Sequence, residues 1–263
     1  MAMAMPVTGI RRPSARPPAT SVSASPDPVD HPSPNFGPRR AGLRPEFVVL
    51  HYTAMASASA ALARLCDPGP QVSAHYLICE KGRVFRLVPE EMRAWHAGVG
   101  RWRGKDDINS RSIGIELQNR GDHPYCEPQM AALETLLTGI MARWNIPPDG
   151  VIGHSDMAPG RKSDPGPRFD WRRLALQGLS VWPDAGARES GPRDWPELAA
   201  RFGYRMDGPD ASLAAFRARF RPQHAGPADI EDIRILDRLL HGAHRLKLTG
   251  ESMRRERSTI DPS

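Results

Sequence analysis

Two histidines and two aspartates in this 263-residue sequence are of types, and at positions, that could hold a hydrolytic metal. His51 follows the apolar run Phe47-Val48-Val49-Leu50, and His154 follows Val151-Ile152-Gly153. Both imidazoles therefore fall where a buried strand should end. If those two strands are neighbours, the imidazoles converge. A carboxylate from the loop after His154 would complete a three-ligand set. That loop, "GHSDMAPGRKSDPG", offers two, Asp156 and Asp164, and spacing does not choose between them. Two histidines and one carboxylate, with water in a fourth position, suit zinc. Zinc lowers the pKa of such a water towards about 7. The competing reading is ordinary: a histidine at a strand end is often a core residue, and aspartates beside Gly and Pro form turns.

Amide hydrolysis at such a centre also needs a proton carrier and a group that meets the developing oxyanion. In "SIGIELQN", Ile113, Ile115 and Leu117 alternate with Gly114, Glu116 and Gln118. Glu116 is thus turned away from the apolar layer, towards water or a cleft. Lys162 lies two residues before Asp164, close enough for its ammonium to reach the same oxygen. Each of these two residues, taken alone, is equally consistent with a solvated surface.

The elements that must position these groups are legible as a pattern. Residues 1 to 34 are rich in Pro, Ser and Ala and are expected to be disordered. Ala56 to Leu65 reads as a short helix. "VSAHYLIC" and "VFRLV" read as two strands joined by a turn at Gly82. "SIGIELQN" is another strand. From Pro128 to Trp144, apolar residues recur at helical spacing (Met130, Leu133, Leu137, Ile140, Met141, Trp144), with Pro128 in the first turn. "GVIGHSD" opens as a short strand and becomes a loop. Interleaved strands and helices up to Trp182 predict an α/β (mixed α+β) layer, a central mixed sheet flanked by helices. Residues 184 to 194 read as a linker. Pro196 to Phe202, Ser212 to Phe220 and Ala228 to His241 are three helical segments of a small C-terminal domain spanning 195 to 244. Phe202, Tyr204, Phe216 and Phe220 are its expected core. Residues 245 to 263 form a charged tail.

Composition narrows the function classes. The net charge of +6 favours anionic partners. There is, however, no nucleic-acid motif and no aromatic-basic interleaving, so nucleic acid is not an expected partner. Cys66, Cys79 and Cys126 are an odd, widely spaced set without a CxxC pair. They are read as reduced thiols, neither a disulfide framework nor a cysteine zinc site. No stretch reaches the length of a membrane span. The first thirty residues lack the apolar core and cleavage site of a signal peptide. The cytoplasm is the expected compartment, or the periplasm if the true start lies upstream.

The segments "LHYT", "SAHYLI", "RAWHAG", "INSRSIGIEL", "GHSDMAPGRKSDPG" and "FDW" occur in this order. Together they resemble the zinc-dependent type 2 N-acetylmuramoyl-L-alanine amidases, relatives of amidase-type phage lysozymes and peptidoglycan recognition proteins. The resemblance covers roughly residues 33 to 183, which implies an amidase domain over 35 to 183. It implies one Zn2+ per chain held by His51, His154 and Asp164, and so selects Asp164 over Asp156 by analogy. It implies Glu116 as the catalytic glutamate and Lys162 as the lysine that supports it. The implied reaction is hydrolysis of the amide between (anhydro-)N-acetylmuramic acid and L-alanine, in cell-wall recycling or turnover. Peptidoglycan or muropeptide fragments are then the partners. His75, Trp95, His96, Asn109 and Arg161 are further candidates for lining the cleft or binding the stem peptide. The C-terminal helices bear a looser resemblance to a small peptidoglycan-binding module; the alternative is an appendage packed on the amidase domain. A non-catalytic recognition module is the rival function. Oligomeric state is not readable from the chain.

Overall fold

The computed structural model of the chain describes residues 27–183 and 194–241. Two short strands, β1 (Val29–Asp30) and β2 (Phe36–Pro38), precede β3 (Phe47–Tyr52), whose buried apolar run ends at His51. Helix α1 (Ala58–Cys66) begins at Ser57, whose hydroxyl accepts from the Ala60 N–H. β4 (Tyr76–Ile78) and β5 (Val84–Arg86) form an antiparallel hairpin. Its turn residue Gly82 has φ +78°, and a Cβ there would sit 2.5 Å from the Pro128 carbonyl oxygen. β6 (Met92–Ala94) and α2 (Ile108–Arg111) lead into β7 (Ser112–Leu117). Helix α3 (Glu127–Trp144) starts with a proline in its first turn and stops at Asn145, a left-handed C-cap with φ 54°. β8 (Val151–Gly153) runs directly into the one-turn helix α4 (His154–Met157), a stretch expected to be loop. Helices α5 (Trp171–Leu176), α6 (Trp195–Phe202) and α7 (Pro209–Phe220) follow, and a last helix, α8, covers 230–241.

Six strands form one mixed sheet in the order β1-β5-β4-β7-β3-β8, antiparallel only between β4 and β5. β2 and β6 make a separate antiparallel pair. One sheet face carries Val48, Leu50, Ile113, Ile115 and Leu117, which pack against Met130, Leu133, Leu137 and Ile140 of α3. The other face is covered in two places. α1 packs with Leu77 at the β4 side. Phe47, Val49 and Ile152 join Trp195, Leu198, Phe202, Phe216 and Leu236 of the C-terminal helices at the β3–β8 side. Between these two covers, β7 presents Ser112, Gly114 and Glu116. The strand alternates because its second face is the floor of a cleft, not a second apolar layer.

Two expectations change. Residues 1–26 lie outside the described residues, but the ordered chain begins before residue 34. Val29 and Asp30 pair with Phe85 and Arg86, and the His31 and Ser33 N–H groups donate to Arg86 and Leu87 carbonyls. Backbone bonds hold this segment, so its composition does not announce it. Second, the C-terminal helices, expected either as a small module or as an appendage packed on the amidase domain, share one continuous apolar cluster with the sheet. Phe202, Tyr204, Phe216 and Phe220 are buried, as expected of a core, but that core is common to both parts. Most of the expected linker and all of the expected tail, 184–193 and 242–263, fall outside the described residues.

Candidate metal centre

β3 and β8 pair in parallel with Leu50 opposite Gly153, so the next step of the register brings His51 and His154 together. Asp164 returns from the following loop, whose path is fixed where the Ser155 N–H donates to the Asp164 carbonyl. His51 Nδ1 lies 2.9 Å from His154 Nδ1 and 2.9 Å from Asp164 Oδ2, and His154 Nδ1 lies 3.0 Å from the same oxygen. All three residues are buried. Asp156, the alternative by spacing, is turned elsewhere. Its carboxylate accepts from the Gly153 N–H, the Tyr204 hydroxyl and Arg219.

The outer nitrogens decide what the inner ones are. His154 Nε2 is 2.9 Å from the Ala97 carbonyl oxygen, so Nε2 carries the proton and Nδ1 of the neutral ring is a lone pair. On the His51 side a chain of contacts gives the same answer. The Ser112 hydroxyl donates to the Ile108 carbonyl at 2.6 Å, so its oxygen accepts from His96 Nε2 at 3.2 Å. His96 Nδ1 is then an acceptor, 3.0 Å from His51 Nε2, and His51 donates outward. Burial, and next to it the proximity of His154, lowers His51 to about 4 against the pull of Asp164, so the ring is neutral near pH 7. Two imidazole lone pairs and a carboxylate thus converge with no proton assigned between them. Such a set calls for a cation. Its spacing is close to the roughly 3.3 Å edge of a tetrahedron with zinc–ligand bonds of about 2.0–2.1 Å, and its donor types suit zinc.

Glu116 sits opposite His51 in the β3–β7 register and points to the same face. Its Oε2 is buried without a hydrogen-bond partner. Burial, followed by the charge of Asp164, raises its carboxyl well above the ordinary value, and Lys162 opposes that rise. Lys162 is exposed at the mouth of the same cleft. The cleft, of about 470 Å³, has His51 and Glu116 in its floor, Trp95 and His96 on one wall, and Arg64 of α1 on the other. A recess alongside it is lined by Arg40, Arg93, Arg161 and Lys162, with no carboxylate among its described lining residues.

The remaining sequence candidates divide. Trp95 and His96 line the cleft. His75 does not: it is fully buried, its Nδ1 accepts from the Gly114 N–H and its Nε2 donates to the Met92 carbonyl. Burial, then the Arg39 charge, lowers it to about 3, so it is a neutral structural ring. Asn109 borders the recess, but its side-chain oxygen is committed to the His96 and Ala97 N–H groups. Arg161 faces the recess while donating to the Ala97 and Val99 carbonyls, so it holds the loop that forms the wall. Sequence reasoning passed over Ser112, the end of the chain behind His51, and Arg64. Ser112 lies within "INSRSIGIEL" but its type suggested no role there, and Arg64 belongs to no motif; the strand register and the packing of α1 bring them to the site.

The family model described as N-acetylmuramoyl-L-alanine amidase matches residues 41–167. N-acetylmuramoyl-L-alanine amidase AmiD of Escherichia coli (strain K12) is 40% identical over 232 residues, covering 75% of this chain and 83% of that protein. The structure of AmiD in complex with anhydro-N-acetylmuramic acid-L-Ala-D-gamma-Glu-L-Lys is similar with a TM-score of 0.69 at 39% identity, covering 78% of this chain and 91% of AmiD. AMPDH3 from Pseudomonas aeruginosa, in complex with anhydromuramic pentapeptide, gives a TM-score of 0.70 at 35% identity, over 78% of this chain and 94% of that one.

Proposed function

The chain belongs to the N-acetylmuramoyl-L-alanine amidase family, and from that premise we propose how its cleft carries out the reaction. It is an amidohydrolase that cuts the amide between (anhydro-)N-acetylmuramic acid and L-alanine in peptidoglycan recycling or turnover. His51, His154 and Asp164 would hold one zinc ion per chain, which would supply Lewis acidity at the lactyl carbonyl and lower the pKa of a water there towards neutrality.

The chain's own groups do the rest. Glu116 takes a proton from the attacking water and delivers it to the leaving amine of L-alanine as the C–N bond breaks. Its raised pKa suits both halves of that task, because a carboxyl poised upwards accepts and returns a proton readily near neutrality. Lys162 meets the negative charge that develops on the carbonyl oxygen. Trp95 and His96 form the wall against which the sugar or the first peptide unit lies. The cationic recess with Arg161, Arg93 and Arg40 receives the carboxylates of the stem peptide. Asn109 contributes indirectly, by holding the loop between wall and recess. No helix among the described residues is long and apolar enough to cross a membrane.

The observation that carries this reading is the meeting of three proton-free ligand atoms beside a buried carboxyl oxygen that has no partner. Two variants test it. Asp164→Ala should lose zinc and activity together. Glu116→Ala should keep zinc and lose turnover by about 10²–10⁴-fold. Full turnover in Glu116→Ala would remove Glu116 from the proton-carrier role, and full zinc content in Asp164→Ala would remove Asp164 from the ligand set.

A further inference from the structure

We propose that the C-terminal helices act on the metal centre itself, as a brace that positions His154 through Arg219, Tyr204 and Asp156. The proposal rests on the reading that His51, His154 and Asp164 hold zinc.

His154 opens α4, a helix of four residues. One turn of helix does not hold itself together, because nucleation costs more than a single hydrogen bond returns. Its geometry must come from what it touches. Two residues on from His154, Asp156 is 1% exposed. Asp156 Oδ2 accepts from the Gly153 N–H at 2.8 Å, which ties the carboxylate to the start of its own turn. The same oxygen accepts from Arg219 Nη1 of α7 at 2.7 Å, and Oδ1 accepts from the Tyr204 hydroxyl, just after α6, at 2.6 Å. The Arg219 Nη2 donates to the Val151 carbonyl of β8 and to Ser180 Oγ, at 3.2 and 3.1 Å. Its guanidinium lies 4.0 Å from the centre of the Trp171 ring. Arg219 therefore spans the strand that ends beside the ligand and the turn that carries it. Met157 and Ala158, the next two residues, are buried in the cluster built by α6 and α7.

A buried ion pair adds little net stability over an apolar filling of the same space, but breaking it by removing one partner leaves an uncompensated charge. What such a pair supplies is direction. Here the direction is that of α4, and so of the imidazole at its first position. Partners outside the first ring of ligands typically set metal affinity by about 10–100-fold.

The test uses the full chain. Zinc affinity is measured by chelator competition, the Co2+-substituted protein is examined by visible absorption, and the melting temperature of the metal-free protein is followed alongside. Arg219→Met should weaken zinc binding by about 10–100-fold and change the Co2+ spectrum. Tyr204→Phe keeps its ring in the core and should move both readouts in the same direction by less. Leu239→Ala, which removes packing from the same cluster at α8, should lower the melting temperature and leave zinc affinity and spectrum unchanged. If Arg219→Met does not fold, Tyr204→Phe against Leu239→Ala decides. Unchanged affinity and spectrum in the Arg219 and Tyr204 variants overturns the brace. So does an equal loss of affinity in Leu239→Ala. A wild-type protein that binds no zinc would instead refute the metal reading, and the brace with it.

Discussion

Replacing Gly114 by alanine adds one methyl group and should disturb a metal site to which that residue contributes no atom. Gly114 lies on β7 two residues before Glu116, on the same face, directly beneath the His96 ring. A Cβ there would come within 2.4 Å of His96 Cγ and 2.6 Å of its Nδ1 and Cδ2, where ordinary contact begins at 3.4 Å. The ring must withdraw by about 1 Å, because the strand beneath it is held on both sides by β3 and β4. That withdrawal takes the 3.0 Å contact to His51 Nε2 and the 3.2 Å contact to Ser112 Oγ beyond hydrogen-bond range. Overpacking of this kind costs about 1–3 kcal/mol, read as a fall of about 2–4 °C in melting temperature per kcal/mol for a chain of this size. Loss of the orienting partner of a metal-ligating histidine costs about 10–100-fold in metal affinity. The assays are thermal unfolding of the metal-free protein and zinc competition with a chelator. Gly139→Ala on α3 is the control: its Cβ would meet the guanidinium of Arg143, which is bound to Glu90 and not to the metal centre, and it should leave zinc affinity alone whatever its effect on stability. A Gly114→Ala protein with wild-type zinc affinity would refute the claim that His96 orients His51.

Lys162→Met should lower kcat by about 10²–10³-fold with zinc content unchanged, since the residue is assigned to the developing oxyanion; a change confined to KM would contradict that role. Ser112→Ala should weaken zinc binding in the same direction as Gly114→Ala without the overpacking cost, and a measured affinity equal to wild type would sever the chain behind His51. Glu90 is a test of pH dependence away from the site. Burial would raise its carboxyl, but hydrogen bonds from Arg143, Tyr76 and Trp144 outweigh it and lower the pKa. A lowered carboxyl contributes stability that is fully present above its ordinary value of 4.5 and is lost as pH falls through the lower folded value. Urea unfolding should therefore show Glu90→Gln most destabilised near neutrality and progressively less so below about pH 4.5; a constant deficit across that range would mean the ionised form contributes nothing.

How much of this was legible depends on whether a residue's role is local. The strand ends at His51 and His154 are local features, and a parallel pairing was enough to make them meet. Glu116 was legible through alternation, although alternation alone did not tell water from a cleft. The hairpin at Gly82 and the long helix α3 also follow from local pattern. Asp156 and Asp164 were indistinguishable by spacing, because what separates them is a contact 63 residues away, between Asp156 and Arg219. His75 and His96 look alike in sequence, each in a short polar-aromatic motif, yet one is bound into the core and the other lines the cleft in contact with His51. Only the strand register separates them. The C-terminal helices read as a separate unit because their apolar periodicity is self-consistent, and nothing local shows that Phe47 and Ile152 complete the same core. β1 was invisible because two backbone-paired residues leave no apolar signature.

The measurement that bears most directly on the central claim is made on protein purified with its own metal. Zinc is quantified per chain, and a defined anhydro-muropeptide is incubated with and without chelator, its products read by mass spectrometry. The predicted result is about one zinc per chain and release of a peptide beginning with L-alanine that stops when the metal is removed and resumes when zinc is returned. Bound zinc with no cleavage of this substrate or of intact peptidoglycan would contradict the catalytic account and leave a recognition module. Cleavage indifferent to the chelator would contradict the role given to His51, His154 and Asp164.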